Sequence, residues 1–419
     1  MIQKVSKYLI TTLAILFFFL PQMRGEERRD SVVVSLLTCW PGSEIYELCG
    51  HEAIRVRGYA DGHQLDSVWN YGVFDFNTPN FAYRYVKGET DYMLGAYPFY
   101  YFLPEYQRGG RKVLEQDLNL TPQEAKRFLG MLREEARPEN RVYRYNYVRD
   151  NCATRIVDRV DSVAGGRVAY PDHVSYGTFR RQMRHYHSAY PWYQFGIDIA
   201  LGSGIDVPIS GREEMFVPMD MAERVQGAHL PDGRQLVSDT RILNAGVENA
   251  SLSPTPWYLT PLFICGLWFL LSLGACVAMA RTNRIWRWLY CVWYGLIGLA
   301  GCLVAFLVFV SVHEATSPNV LLLWLNPLQL LMIPGVLSRR MKILASAMAW
   351  YDIISLGVLL IVWPFQMQSA NPAFFPLMGS TLALAATYAI IAARNKGKRE
   401  EVVKVRSSSA KQTRTKRKR

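Results

Sequence analysis

The chain has 419 residues, a net charge of +12, 50% hydrophobic residues and a mean hydropathy of +0.01. These averages conceal a division, because residues 26–256 have a globular composition, residues 257–393 form long apolar runs and residues 394–419 are basic. The composition excludes a fully soluble, disordered or collagen-like protein. The last 26 residues hold twelve Lys and Arg against two Glu, which is +10 of the +12, so a basic nucleic-acid-binding body is not supported.

The first 25 residues predict either a secretory signal peptide or an uncleaved anchor. Lys4 and Lys7 precede an apolar run from Tyr8 to Leu20, which is the charge pattern of an export signal. No cleavage site of small residues is visible, so both interpretations stay open. Either one exports residues 26–256.

The exported segment begins with sequence typical of strands. Apolar and polar residues alternate on either side of Asp61-Gly62, which predicts a hairpin with a two-residue turn. The predicted strands are Ser31–Thr38, 51–58, 65–73, Thr90–Tyr97, Lys112–Leu118 and Val142–Val148.

Two helices follow from their start signals. Thr121, Pro122 and Glu124 supply a cap, a first helical residue and a capping box, and the helix ends before Pro138. A second helix begins at Asp150 or Asn151 and runs to about Ala164. Residues 170–256 contain many aromatics and short turns, and they predict an irregular segment near the membrane surface.

Five apolar runs are long enough to cross a bilayer. Basic residues follow the first, third and fifth runs, whereas loops 312–318 and 364–373 contain no Lys or Arg. The positive-inside rule therefore places the basic segments in the cytoplasm and residues 26–256 outside. The basic tail is interpreted as a topology determinant that touches anionic headgroups, in preference to an RNA-binding tail. The runs are Trp257–Ala280, Trp288–Ser311, Asn319–Leu337, Ile343–Trp363 and Phe374–Ala393.

Three of the seven cysteines fall in the exported domain. Cys39 and Cys49 are close enough in sequence to pair, which would leave Cys152 as a lone thiol. Cys152 lies in the first turn of the second predicted helix, where the helix dipole and Arg155 favour a thiolate. Its spacing from Ile156 turns the thiol toward the sheet.

A nucleophilic thiol needs a base, and His51 is the best candidate. With a two-residue turn at Asp61-Gly62, His51 falls opposite Gly72, and Asn70 becomes a diagonal neighbour on the same face. The amide of Asn70 would then orient the imidazole. His185 and His187 form a weak candidate metal pair, and no other spacing supports a metal site.

These motifs together resemble a known family. The segments that carry the resemblance are Leu37-Thr38-Cys39-Trp40-Pro41-Gly42, Tyr46, Gly50-His51, Asn70-Tyr71-Gly72-Val73-Phe74-Asp75-Phe76, and Tyr143-Arg144-Tyr145-Asn146 through Asp150-Asn151-Cys152-Ala153-Thr154-Arg155. A Gly-His followed about 100 residues later by Asn-Cys resembles the circularly permuted papain-like fold of lecithin:retinol acyltransferase and NlpC-type enzymes. The whole pattern resembles the Bacteroidetes lipoprotein N-acyltransferase (Lnb-type) family. The implied fold class is α+β, with a permuted papain-like exported domain followed by an all-α domain of five transmembrane helices.

The resemblance implies acyl transfer in the inner membrane, with the catalytic domain in the periplasm. Cys152 would take a fatty acyl chain from a phospholipid, His51 would move the proton, and Asn70, with Asp75 as substitute, would orient His51. The acceptor would be the α-amine of the diacylglyceryl-cysteine of a lipoprotein. No cofactor, metal or nucleic acid is implied. The supporting residues are Tyr46, Asn151 and Arg155, with His313 and Asn326 as polar candidates at the membrane.

Two other functions remain open from the residues alone. The first is a membrane-anchored periplasmic cysteine hydrolase, a peptidoglycan amidase or peptidase or a lipase, which would use the same Cys and His. The second is a sensor or scaffold with a buried and inert Cys152. The five predicted spans argue against a wall hydrolase, since such an enzyme needs only a signal or one anchor.

Overall fold

The computed structural model describes residues 31–165, 168–247 and 255–416, with side chains as far as residue 397. The predicted signal at residues 1–25 lies outside the described residues. The described chain forms a sheet domain followed by a helical domain.

The sheet domain is built on seven strands in the order β6-β4-β3-β2-β1-β5-β7, and every neighbouring pair is antiparallel. The predicted strands are all present, although β6 is shorter than expected. The strands are β1 (Ser31–Cys39), β2 (His51–Ala60), β3 (His63–Val73), β4 (Asp91–Pro98), β5 (Val113–Leu118), β6 (Val142–Arg144) and β7 (Val237–Asn244).

The β2–β3 hairpin sets the register of the site. Ala60 pairs with His63 and Ile54 pairs with Trp69, around a turn in which Asp61 and Gly62 both have positive φ. Two successive left-handed residues match the twist of a two-residue hairpin, which explains the Asp-Gly sequence. The paired residues end at Ile54 and Trp69, so the expected position of His51 opposite Gly72 stays a prediction.

Helices cover both faces of the sheet. The face that carries Ile54 and Val56 packs against α3 (Pro122–Glu135) and α4 (Cys152–Val163). The opposite face packs against α2 (Phe99–Arg108) through Phe102 and Tyr106. The capping box of Thr121 and Glu124 at α3 is present as predicted. A short helix, α1 (Phe81–Lys87), and α2 were not predicted, because their aromatic sequences lack a clear helical period.

The prediction of an irregular segment at residues 170–256 was wrong. Its described part holds four helices and β7, which pairs with β5 and extends the sheet. The helices are short and their apolar faces are small, so the sequence shows no long helical period there. They are α5 (Phe179–Tyr186), α6 (Pro191–Ala200), α7 (Gly211–Glu214) and α8 (Pro218–Gln226).

The five predicted membrane runs are confirmed as five helical segments of spanning length and composition. Four are continuous α-helices within their spans. The third, Val320–Leu337, is broken into 3-10 turns on either side of Asn326 and ends in α11 (Met332–Leu337). Gly301 permits the break, because a Cβ there would lie 2.4 Å from the backbone of Asn326. The continuous helices are α9 (Pro261–Thr282), α10 (Arg287–Phe309), α12 (Lys342–Val362) and α13 (Phe374–Lys416).

The sheet domain is bonded to one end of the helical domain. The backbone N–H of Gly202 donates to Ala315 O at 2.8 Å, and that of Val312 donates to Lys87 O at 2.9 Å. Arg184 donates to the hydroxyl of Ser369 at 2.8 Å. Contacts from several loops therefore hold the sheet domain against the ends of the membrane spans.

Candidate active site

Cys152 is the first residue of α4, and Asn151 caps that helix. The Asn151 Oδ1 accepts from the backbone N–H groups of Ala153 and Thr154, each at 2.9 Å. Its Nδ2 donates to Tyr147 O and Phe216 O at 2.8 Å each. Every polar atom of this buried side chain thus fixes the position of the helix start. The predicted helix is confirmed.

The Cys152 thiol faces the sheet core and is 7% exposed. Burial raises its pKa to about 12, and the nearby backbone of Glu52 and Ala153 opposes that rise only in part. Burial therefore opposes the thiolate that the helix start favours, since loss of water outweighs the helix start. The thiol is neutral at pH 7.

Arg155 does not supply the expected charge to the thiol. Its Nε and Nη2 bond both carboxylate oxygens of Asp150, at 2.5 and 2.8 Å. Its guanidinium also lies 3.5 Å from the ring centroid of Tyr143. The ion pair with Asp150 neutralises Arg155 and ties it to the loop that enters α4. Arg155 therefore supports Cys152 only through that loop.

His51 is held in one orientation by a chain of side chains. Its Nε2 lies 2.5 Å from Asn70 Oδ1, and Asn70 Nδ2 donates to the hydroxyl of Tyr97 at 3.0 Å. Because Tyr97 takes the amide donor, the amide oxygen faces His51 and Nε2 carries its proton. Burial lowers the pKa of His51 to about 4, with Asn70 opposing and Arg111 adding to that shift. His51 is therefore a neutral imidazole whose Nδ1 lone pair is free of Asn70.

His51, Asn70 and Cys152 line one cavity of about 470 Å³. Cys152 lies close to β3 at Gly72, because a Cβ added to that glycine would lie 4.0 Å from the Cβ of Cys152. The structure thus places a thiol, an imidazole and an orienting amide on the wall of one cavity, and these are the groups that nucleophilic catalysis uses.

Comparison with protein families identifies the chain. Residues 21–184 match the Lnb N-terminal periplasmic domain, and residues 253–396 match the Lnb transmembrane domain. The chain belongs to the Lnb family. No curated protein and no solved structure gave a match.

Family membership fixes the location of the cavity. The sheet domain is periplasmic and is followed by five membrane spans, so the chain is a multi-pass inner membrane protein. The loop around His313, which bonds the sheet domain, follows α10 on the same side. The cavity therefore lies in the periplasmic domain, with His313 of the membrane domain on its wall.

Two of the other predicted residues of this Lnb protein line the cavity and two do not. Tyr46 and His313 lie on its wall. Asp75 does not replace Asn70, because its carboxylate accepts from the backbone and side chain of Asn77 in an exposed turn. Asn326 lies in the broken third span, where its Oδ1 accepts from Leu328 N and its Nδ2 donates to Tyr351. It caps a helical turn rather than reaching the cavity.

The Lnb domain contains a second thiol beside a histidine. Cys49 Sγ lies 3.7 Å from His187 Nε2 and 3.2 Å from the Tyr147 hydroxyl. His187 Nδ1 in turn lies 2.8 Å from Gln194 Oε1. Cys39 and Cys49 are both free thiols, so the suggested disulfide is absent and Cys152 is not the lone thiol of the domain.

The second thiol lies outside the cavity wall. Neither Cys49 nor His187 is among the described residues that line the cavity. Tyr147 lines the cavity and contacts Cys49. Burial raises the pKa of Cys49 to about 11. His187 is 1% exposed, so a substrate has little access to this imidazole.

Sequence reasoning missed the charged end of the cavity. Arg111 bonds the Glu47 carboxylate at 2.6 Å, and both residues line the cavity with Glu105. The three residues lie in separate elements, and none stands in a recognisable motif. In the sequence, only the aromatic and polar residues around Tyr46 indicated this part of the cavity.

Proposed function

We propose that this Lnb protein is a lipoprotein N-acyltransferase that carries a fatty acyl chain on Cys152. The observation that supports this most directly is the shared cavity of Cys152, His51 and Asn70 in a periplasmic domain bonded to the ends of five membrane spans. Both substrates, a phospholipid and a diacylated lipoprotein, are anchored in the leaflet beside that cavity.

In the first half-reaction, His51 Nδ1 takes the proton of the Cys152 thiol as the sulfur attacks the ester carbonyl of the donor. The backbone N–H of Cys152, at the start of α4, is the proposed donor to the oxyanion. Collapse of the tetrahedral intermediate breaks the ester bond. The departing alkoxide takes the proton from His51 and leaves as a lysophospholipid.

In the second half-reaction, the neutral α-amine of the acceptor attacks the thioester carbonyl. His51 takes the amine proton, the carbon–sulfur bond breaks, and Cys152 recovers its proton from His51. The product is an amide, which makes the lipoprotein triacylated. Burial of Cys152 favours aminolysis over hydrolysis, because it limits the access of water to the thioester.

The competing function is a cysteine hydrolase with the same pair of residues. The two functions differ in the fate of the acyl chain when both acceptors are present. Full-length protein in detergent is incubated with labelled phospholipid and a diacylated lipopeptide, and lipopeptide-bound label is compared with free fatty acid. A transferase places most of the label on the lipopeptide amine. Release as free fatty acid, with an unmodified lipopeptide, would favour the hydrolase.

A further inference from the structure

Five aromatic side chains of the cavity wall form a connected group that begins beside the thiol. We call them the aromatic ladder, and all of them line the cavity. They come from the turn after β3, from α1, from β4 and from the segment that leads into α4. They are Tyr145, Tyr92, Phe74, Phe81 and Tyr85.

Neighbouring rings of the ladder are in contact. The ring centroids of Tyr145 and Tyr92 are 4.3 Å apart, and those of Tyr92 and Phe74 are 5.1 Å apart. Phe74 and Phe81 follow at 5.9 Å, and Phe81 and Tyr85 at 6.0 Å. The thiol end of the ladder is close to the nucleophile, because the same added Cβ at Gly72 that would touch Cys152 lies 3.8 Å from the ring of Tyr145.

The helix that carries Phe81 and Tyr85 contacts the transmembrane domain. His313 Nε2 lies 2.9 Å from Tyr85 O, and the hydroxyl of Ser311 donates to Val86 O at 3.0 Å. Tyr83, on the same helix as Tyr85, contacts the ring of Phe306 in α10 at 5.9 Å. The ladder is therefore attached to the end of a membrane span.

Another part of the cavity wall is charged. Glu47, Arg111 and Glu105 line it, and Arg111 is 7% exposed. Its Nη2 has no hydrogen-bond partner among the described residues. A long alkyl chain would be disfavoured beside these charges, whereas ring faces accept it at no polar cost. The ladder is therefore the part of the wall that suits an alkyl chain.

We propose that the aromatic ladder binds the fatty acyl chain of the donor lipid, with the ester carbonyl at Cys152 and the end of the chain toward the bilayer. This inference rests on the proposed function, since it names the part of the cavity that takes the acyl substrate. An acyl chain that moves from the leaflet along the ladder passes from one apolar environment to another and avoids water.

The test uses alkyl methanethiosulfonates, which react with thiols through one reactive group and differ only in chain length. Methyl, octyl and hexadecyl reagents are applied to full-length protein in detergent, and modification of the Cys152 peptide is followed by mass. The variants are Phe74→Ala and Tyr85→Ala, each of which removes one ring of the ladder. Tyr100→Ala is the matched control, because Tyr100 is a 65% exposed aromatic of α2 that does not line the cavity.

The expected result depends on chain length. Phe74→Ala and Tyr85→Ala each slow the octyl and hexadecyl reagents by about tenfold relative to the methyl reagent. Tyr100→Ala changes neither ratio. The rate with the methyl reagent shows whether the site is intact. If Phe74→Ala lowers that rate, the ratios measured for Tyr85→Ala still test the proposal.

Equal slowing of all chain lengths by Tyr85→Ala, or no change in any ratio, would overturn the proposal. The outcome is separate from that of the proposed function. The ladder variants could change the chain-length preference in a protein that transfers no acyl chain to an amine. In that case this inference stands and the transferase function is ruled out.

Discussion

The imidazole of His51 and the amide of Asn70 form a fixed pair, with Nε2 and Oδ1 2.5 Å apart. Tyr97 fixes the amide in turn, by accepting from its Nδ2 at 3.0 Å. The pair leaves Nδ1 as the atom that can take a proton. Asn70 is thus a positioning residue that acts through His51.

Removing that amide is expected to slow acylation of Cys152 by about a hundredfold, because the imidazole loses its tautomer and its orientation. The variant is Asn70→Ala, and the measurement is the single-turnover rate with phospholipid. Asn70→Asp restores an acceptor and adds a charge, which raises the pKa of His51. The acidic limb of its rate profile should therefore move to higher pH, and an unshifted limb would argue that Asn70 acts only on packing.

The pH dependence of the wild type follows from the buried imidazole. His51 must be neutral to accept a proton, and burial lowers its pKa to about 4. The rate of Cys152 acylation should accordingly stay level from neutral pH to about 5 and fall as the pH drops through about 4. The single-turnover rate without acceptor measures this, since the acceptor amine is then not titrated. Half-loss near 6.5 would show a solvated His51.

Substitution of Cys152 and substitution of Cys49 should have opposite effects on acyl transfer. Cys152→Ala should abolish acyl transfer, and Cys49→Ala should leave it within about twofold of wild type, because Cys49 and His187 are absent from the described cavity wall. Transfer by both variants is measured on the same lipopeptide. If Cys49→Ala were inactive and Cys152→Ala active, the pair of Cys49 and His187 would be the catalytic one.

The cap of α4 should affect both the stability of the sheet domain and the rate of Cys152 acylation. Asn151→Ala removes the acceptor of two backbone N–H groups and two further donated bonds, so it should destabilise the sheet domain by about 2 kcal/mol. It should also slow acylation, since Cys152 begins that helix. Thr121→Ala, at the cap of α3, is the matched control. It should lower the melting temperature with little effect on the single-turnover rate, and equal losses of rate in both variants would contradict a local role for Asn151.

Local sequence signals predicted the strands and the helix of Cys152. Alternation on either side of Asp61-Gly62 specified the hairpin, and with it the register that joins His51 to Asn70. The caps of α3 and α4 follow from Thr121 and Asn151 and their partners within one turn. These features depend on neighbours in sequence, so a single chain suffices to predict them.

Features that depend on distant residues were not predictable in the same way. Cys49 and His187 are 138 residues apart, so no local signal joins them. The pKa of Cys152 was misjudged for a similar reason. The helix start is a local feature, whereas the burial that outweighs it arises from packing against β2.

The most direct test of the account is the mass of the intact protein after exposure to phospholipid without acceptor. Wild type should gain one acyl chain on Cys152, as a thioester that hydroxylamine removes and that a diacylated lipopeptide discharges with gain of the same chain. Cys152→Ala should gain nothing. A protein that acylates the lipopeptide while Cys152 stays unmodified, or a Cys152→Ala variant that still transfers, would contradict the account.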